Sequence, residues 1–438
     1  MHTYRIDHQL AANAWRTSPT IYMRWSATKP GLRHLSCCCL LWLLIAGGPV
    51  VRAQHGPGRL IKRIANQFIQ DTLPPAQPRY LVYPTLAYAP ETSLEMGLLG
   101  LLLFHARNDV DRSRLSEIQA FGFGTLRAQY GLQIDNYVYG YDDRWVVLGR
   151  GRFQYFPLLY YSTGPTRNDN EPARIEATYL QLRQRALKKI RPNLFAGVEI
   201  DFHSLLGTQF NQPKNRAYPL PRGADGTTNL SSGLGLVYDS RRNPLNTRRG
   251  FYGEVAYLHS FSGLASEYSF SSLVVDLRRY FPLARGQVLA TQVYGLQTGG
   301  QVPFNQLALM GGEMIQRGFY AGRYRDGSLL AAQAEYRLLP FPFSRRFGGA
   351  AFLSVGSVAS DCSQLRWRNA QPTGGLGLRY LIYLKKDISC AWTLDSPVKG
   401  VGFTSSLVSR FRGGALQSGP LSPASCPHAN LQPGCRGG

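Results

Sequence analysis

Sustained hydrophobicity is what this 438-residue chain lacks. After the amino-terminal leader, no segment reaches the roughly eighteen consecutive apolar residues of a membrane-crossing helix. The longest apolar stretch, Gly97 to His105, is only of strand length. Cysteine is scarce too. Four cysteines follow residue 53 (Cys362, Cys390, Cys426 and Cys435), with neither a CxxC pair nor zinc-ligand spacing. A bridge such as Cys426–Cys435 fits an oxidising compartment, and unpaired thiols fit as well. Histidines 55, 105, 203, 259 and 428 are scattered without metal-ligand spacing. No phosphate-cradling Walker loop and no G-x-S-x-G elbow follow the leader, so no cofactor, metal or catalytic residue is expected. Acidic residues are few, 26 against 49 Lys and Arg, which gives a formal charge of +23. Basic runs such as Lys188-Lys189-Ile190-Arg191 and Arg345-Arg346 are read as facing lipid phosphates or a lumen rather than nucleic acid.

What is present begins with a leader. Residues 1–53 carry six Lys or Arg and one Asp, which leaves +18 for the remainder. A basic stretch (Lys29, Arg33), an apolar core from Leu35 to Ile45, and Val51-Arg52-Ala53 read as a secretory signal peptide cut after Ala53, with an over-long extension before Lys29. Residues 54–79 hold Leu60, Ile61, Ile64, Phe68 and Ile69 at helical spacing, which predicts one short periplasmic helix before Pro74-Pro75. Aromatic content of 12%, 46 glycines and a slightly negative mean hydropathy then leave two classes for the rest: soluble all-β, or transmembrane barrel.

From Tyr80 the chain reads as alternating runs of about ten residues separated by turn chemistry. Sixteen are predicted: 80–88, 93–105, 117–127, 129–139, 144–155, 174–185, 193–202, 231–239, 250–259, 267–280, 287–297, 328–339, 348–358, 374–384, 387–395 and 400–411. An even number suits a closed antiparallel barrel. Closure is required in lipid, because unpaired backbone groups cannot face hydrocarbon. The fold expected is therefore an all-β transmembrane antiparallel β-barrel over 80–411, followed by a disordered tail at 412–438. Ala89–Thr92 and Tyr141–Asp143 read as short connections; those around 163–172, 206–229 and 299–327 read as long, and long loops are expected on one side. The seam would pair Tyr80–Tyr88 with Gly400–Phe411, where Gly400 and Gly402 weaken the strand.

The connection from Thr298 to Gly327 is thirty residues long, far beyond a hairpin turn. Its glycines (Gly311, Gly312, Gly318, Gly322) permit tight turns, and Arg317, Arg323 and Arg325 can lock onto carboxylates. Ile315-Gln316-Arg317-Gly318-Phe319 resembles the (V/I/L)-R-G-(F/Y) loop signature of the BamA/TamA family of outer-membrane proteins, the bacterial surface antigens. Four further segments resemble that family in order. They are Tyr88-Ala89-Pro90-Glu91-Thr92; Asp239-Ser240-Arg241-Arg242-Asn243-Pro244 with Gly250; Leu277–Pro282; and Val302-Pro303-Phe304. Gly400–Phe411, with Phe403, Leu407 and Phe411 alternating, resembles the terminal signal read by the outer-membrane assembly machinery through strand addition.

The resemblance implies that the long loop folds into the lumen. Arg317 would then pack on the inner wall, against Glu335 or the strand Phe352-Leu353-Ser354-Val355-Gly356. Ser354 stands where the family usually has Asp, so the lock would lean on Glu335, and Ser354→Asp should strengthen it. The turn at Asp239 would pair that carboxylate with Arg241 while Pro244 stops strand pairing. The resemblance also implies a bacterial outer-membrane protein that inserts or translocates proteins, or moves lipid. Its partners would be outer-membrane lipid, the assembly machinery for its own insertion, and an unfolded or secreted client. Family members usually carry POTRA domains before the barrel, and residues 54–79 are too few for one. A passive channel and an outer-membrane hydrolase, hinted at by His105 or His203, are the alternatives.

Overall fold

The computed structural model describes residues 77–89, 93–165, 171–214, 217–241, 246–263, 265–312, 315–383, 388–397 and 404–406. The leader, the 54–76 segment, Asn243, Pro244, the terminal-signal residues Phe403, Leu407 and Phe411, and the tail lie outside them. The strands are β1 (Arg79–Ala89), β2 (Ser93–His105), β3 (Leu115–Thr125), β4 (Tyr130–Tyr139), β5 (Trp145–Tyr155), β6 (Leu158–Tyr160), β7 (Ala173–Arg191), β8 (Leu194–Asn211), β9 (Thr227–Asp239) and β10 (Gly250–Ser260). They continue as β11 (Phe270–Ala284), β12 (Gln287–Gly300), β13 (Ala308–Met310), β14 (Tyr324–Asp326), β15 (Ser328–Leu338), β16 (Phe347–Ala359), β17 (Gln371–Tyr383), β18 (Ile388–Pro397) and β19 (Thr404–Ser406).

Short β6 pairs with β7, and among the described residues β13 pairs with β14 in a separate two-stranded sheet. Without these three, sixteen strands among the described residues form an antiparallel meander in chain order, each overlapping one of the sixteen predicted runs. β1 pairs with β2 on one edge, and among the described residues its other edge carries no ladder.

Alternation decides which face is which. In β7 the buried positions include Arg183 and Arg185, at 1% and 0% exposure, while the adjoining Leu182 is 47% exposed. The same inversion recurs in β9, where Asn229 is buried and Leu234 exposed, and in β15, where Glu335 is buried and Leu330 exposed. Charged side chains inside and leucine, valine and tyrosine outside is the pattern of a barrel solvated by hydrocarbon. The inner charges are paired. Arg185 reaches Glu199 at 2.5 Å and Glu254 at 2.8 Å, Arg183 bonds Glu199, and Arg278 bonds Asp276 at 2.6 Å.

Two expectations need correction. β7 and β8 run longer than the predicted 174–185 and 193–202. Their apolar alternation stops at the edge of the lipid-facing band, but the hydrogen-bonded ladder continues past it. At the outer positions of β7, Arg174, Glu176 and Lys188 flank Leu180 and Leu182. Sidedness also differs for one turn. Strand parity puts the short Ala89–Thr92 connection at the same end as 156–172, 212–226 and 301–327, so tight turns are not confined to the opposite end.

Candidate functional site

The connection 301–327 between β12 and β15 is folded into the interior. Met310 is fully buried, Gln316, Arg317, Tyr324 and Arg325 are buried, and the short β13–β14 hairpin brings Met310 opposite Tyr324. Glycine makes the tight tip feasible. Gly311 has φ +109°, and a Cβ there would sit 2.2 Å from the carbonyl oxygen of Tyr320. The hairpin closes through Gly322 N–H to Met310 O, 3.0 Å, and Gly312 N–H to Phe319 O, 2.9 Å. Its apolar residues, Met310, Ile315 and Tyr324 with Phe319 beside them, pack on Val274, Leu296 and Ala331 of the wall. Each such side chain contributes about 1.5–3 kcal/mol when fully buried.

At the tip, Arg317 donates from Nη2 to Glu335 Oε2 at 2.6 Å, and its Cζ lies 3.5 Å from the ring centroid of Phe352. Strand register explains the seat. Glu335, Phe352 and Gly375 are lateral neighbours on β15, β16 and β17, so a carboxylate, a ring and a bare backbone stand side by side. Glu335 serves more than Arg317. Arg337 Nε bonds it at 2.7 Å and Arg379 bonds it from β17. One buried carboxylate thus gathers three guanidiniums.

Ser354 takes a different place from the one expected. It faces inward, but its Oγ donates to Gln316 Oε1 at 2.9 Å, beside Thr373 Oγ1 at 3.0 Å, and not to Arg317. Gln316 Nε2 completes the set on the carbonyl of Gln371 at 2.7 Å. Gly356 makes the room, since a Cβ there would lie 2.8 Å from Gln316 Nε2. Gln316 itself has φ +55°. That conformation costs a non-glycine residue about 1–2 kcal/mol, and three hydrogen bonds at about 1 kcal/mol each offset it. Ser354→Asp should therefore loosen the tip rather than strengthen it, because the new carboxylate would face the amide oxygen of Gln316. A lower urea midpoint for the heat-modifiable folded band would show this, and a raised midpoint would restore the original expectation.

Further along the loop, Arg325 holds a neighbouring connection. Its Nη2 donates to Leu159 O at 2.8 Å and to Gly322 O at 3.0 Å, and Gly164 N–H donates to Arg325 O at 2.9 Å. Burial pushes this guanidinium below its ordinary value, partly offset by Tyr320, Tyr160 and Tyr161. It stays charged at neutral pH. Leu159 N–H donates to the Tyr320 hydroxyl at 3.2 Å, and Arg323 lies 4.0 Å over the Tyr161 ring.

At the opposite end, Asp239 receives Arg241 twice through its guanidinium, both at 2.9 Å, and the hydroxyls of Tyr137 and Tyr139 at 3.1 and 3.2 Å. Arg114 reaches the Asp239 carbonyl at 2.8 Å. Gly250, at φ +125°, lets the chain pass Arg241, whose Cα would lie 3.1 Å from an added Cβ. His203 shares Asp201 at 2.8 Å on one ring nitrogen, while a tyrosine hydroxyl, Tyr179 at 3.0 Å, meets the other where a hydrolase would need serine. His105 bonds the carbonyl of Ser113 at 2.8 Å.

Residues 121–382 match the Omp85 superfamily domain, more than half of the chain. The chain belongs to the Omp85 superfamily. No curated protein matches it. Among solved structures, this Omp85 chain is similar to BamA from Haemophilus ducreyi lacking POTRA domains 1–3, at 12% identity and TM-score 0.46, covering 74% of this chain and 68% of that one. It is also similar to CdiB from Escherichia coli, at 10% identity and TM-score 0.46, covering 76% of this chain and 60% of that one. CdiB from Acinetobacter baumannii gives 12% identity and TM-score 0.45, with 73% and 56% covered. The chain thus spans less than two thirds of the length of either CdiB.

Gln316, Arg337 and Arg379 were given no role in the sequence of this Omp85 chain, and Arg325, expected to lock onto a carboxylate, holds main-chain carbonyls instead. Period-two spacing could have flagged Arg337, which shares a strand face with Glu335. Nothing local marks the others.

Proposed function

We propose that this Omp85 barrel aids the insertion or translocation of proteins, or the movement of lipid, at the bacterial outer membrane, with loop 301–327 as a plug locked by Arg317 on Glu335. The observation that carries the reading is the buried contact of Arg317 with Glu335 at 2.6 Å, made by a loop seated against the inner wall. Superfamily membership supports the activity class. Strand addition at the seam beside β1 is proposed as its chemistry, with Pro84 removing one backbone donor from that strand.

Liposomes containing the folded protein should fold a urea-denatured outer-membrane barrel faster than empty liposomes. Equal rates would sink the insertase reading. A large steady conductance from the unmutated protein would instead favour a passive channel. The mature chain is proposed to start at Gln54 and to fractionate with outer membranes. Amino-terminal sequencing that recovers Leu40 to Ala46 in an inner-membrane fraction would overturn this.

A further inference from the structure

The rim at the end opposite the plug is not uniform. In its first sector acids and bases alternate: Asp109, Asp111 and Arg112 after β2, then Asp142, Asp143 and Arg144 after β4. In the sector built by β11, β12, β15 and β16 only bases occur. Residues 277–289 and 336–360 contain no Asp or Glu, and Arg279, Arg285 and Arg345 are exposed there. The two turns of this sector touch through Leu339 N–H on Gly286 O at 2.8 Å, so they form one surface.

That surface is also apolar. Phe343 is 84% exposed, Leu283 55%, Phe347 44% and Phe281 41%. Phe343 is braced by stacking on Phe341, with centroids 5.0 Å apart, and Arg279 lies 5.5 Å over Phe281. Phe281 and Phe347 are outward positions that prolong the lipid-facing rows of Leu277 and Leu353. In water, such rings would be a liability. Rings beside arginines at the edge of an apolar band suit a headgroup layer, where the ring enters the acyl region and the guanidinium stays with phosphate.

We propose that this rim, Phe281, Leu283, Phe343 and Phe347 with Arg279, Arg285 and Arg345, is a binding surface for anionic phospholipid. It rests on the barrel reading above. The arginines select the negative headgroup, and Phe343 is the wedge between acyl chains. Continuity with the lipid-facing band favours lipid over a protein partner as its occupant.

The test uses the full chain folded in neutral detergent, titrated with phosphatidylglycerol or phosphatidylcholine and read by native mass spectrometry. The unmutated protein should bind phosphatidylglycerol preferentially. R285Q/R345Q should lower that affinity about thirtyfold, taking about 1 kcal/mol per charge. R285K/R345K should keep most of it, and R112Q/R144Q on the mixed sector should change nothing. Heat-modifiable gel mobility confirms each variant as a folded barrel, and its absence in the unmutated protein would count against the barrel reading rather than the lipid site. Equal binding of the two lipids by the unmutated protein, or unchanged phosphatidylglycerol affinity in R285Q/R345Q, would overturn the proposal and leave the rim to a protein partner.

Discussion

Glu335→Gln should destabilise the barrel more than removal of any one arginine around it. The substitution keeps the shape but removes the one negative charge that Arg317, Arg337 and Arg379 share. Breaking a buried pair in this way costs about 3–5 kcal/mol, because partners stay charged with nothing to offset them. Here the cost falls on three cations at once. Arg337→Ala or Arg379→Ala leaves Glu335 with two partners, so each should lose only about one charged hydrogen bond, roughly 1.5–3 kcal/mol. The measurement is the urea midpoint of the heat-modifiable folded band for the four proteins. If Glu335→Gln unfolds no earlier than Arg379→Ala, the shared-carboxylate account is wrong.

Arg317→Ala should act differently, on the loop more than on the barrel. It removes a charged hydrogen bond and the contact with Phe352, together about 2–5 kcal/mol. Glu335 keeps Arg337 and Arg379, so the wall itself survives. The tip then keeps the hydrogen bonds of Gln316 and the apolar packing of Ile315. In planar bilayers the unmutated protein should show small, rare openings, and Arg317→Ala frequent large ones, with client folding lost. Arg317→Lys should rescue poorly, since an ammonium cannot span carboxylate and ring as a planar guanidinium does. Arg323→Ala, which removes a contact with the Tyr161 ring and leaves the Glu335 cluster intact, should do less. Conductance and stability identical to the unmutated protein in Arg317→Ala would return this segment to the status of an ordinary loop.

The two experiments separate what was legible in the sequence from what was not. Strand number was legible because a barrel in lipid forces apolar residues to every second position, and Leu180, Leu182 and Leu234 keep that beat. Arg317 and Glu335 were nameable because Ile315–Phe319 resembles a family loop signature, and that resemblance implied an arginine packed on the inner wall. The partner of Ser354 was not. Gln316 reaches it only because its own backbone turns to positive φ and Gly356 leaves a gap, and neither fact is written at positions 316 or 354. Arg379 meets Glu335 across two strand boundaries, a distance that periodicity along one strand cannot measure.

The contacts of Arg325 and Asp239 have a mechanical meaning. At one end, loop 301–327 ties the 156–165 segment to the wall of β15, β16 and β17. At the other, Asp239 on β9 ties back to Tyr137 and Tyr139 on β4. Each is a chord that skips several staves of the sheet, and the two chords lie at opposite ends. Neither includes β1 or β18. Strain applied to such a frame is carried by the two cross-tied arcs, β4 to β9 and the 156–165 segment to β17, so each of these stretches of wall should keep its curvature as a unit.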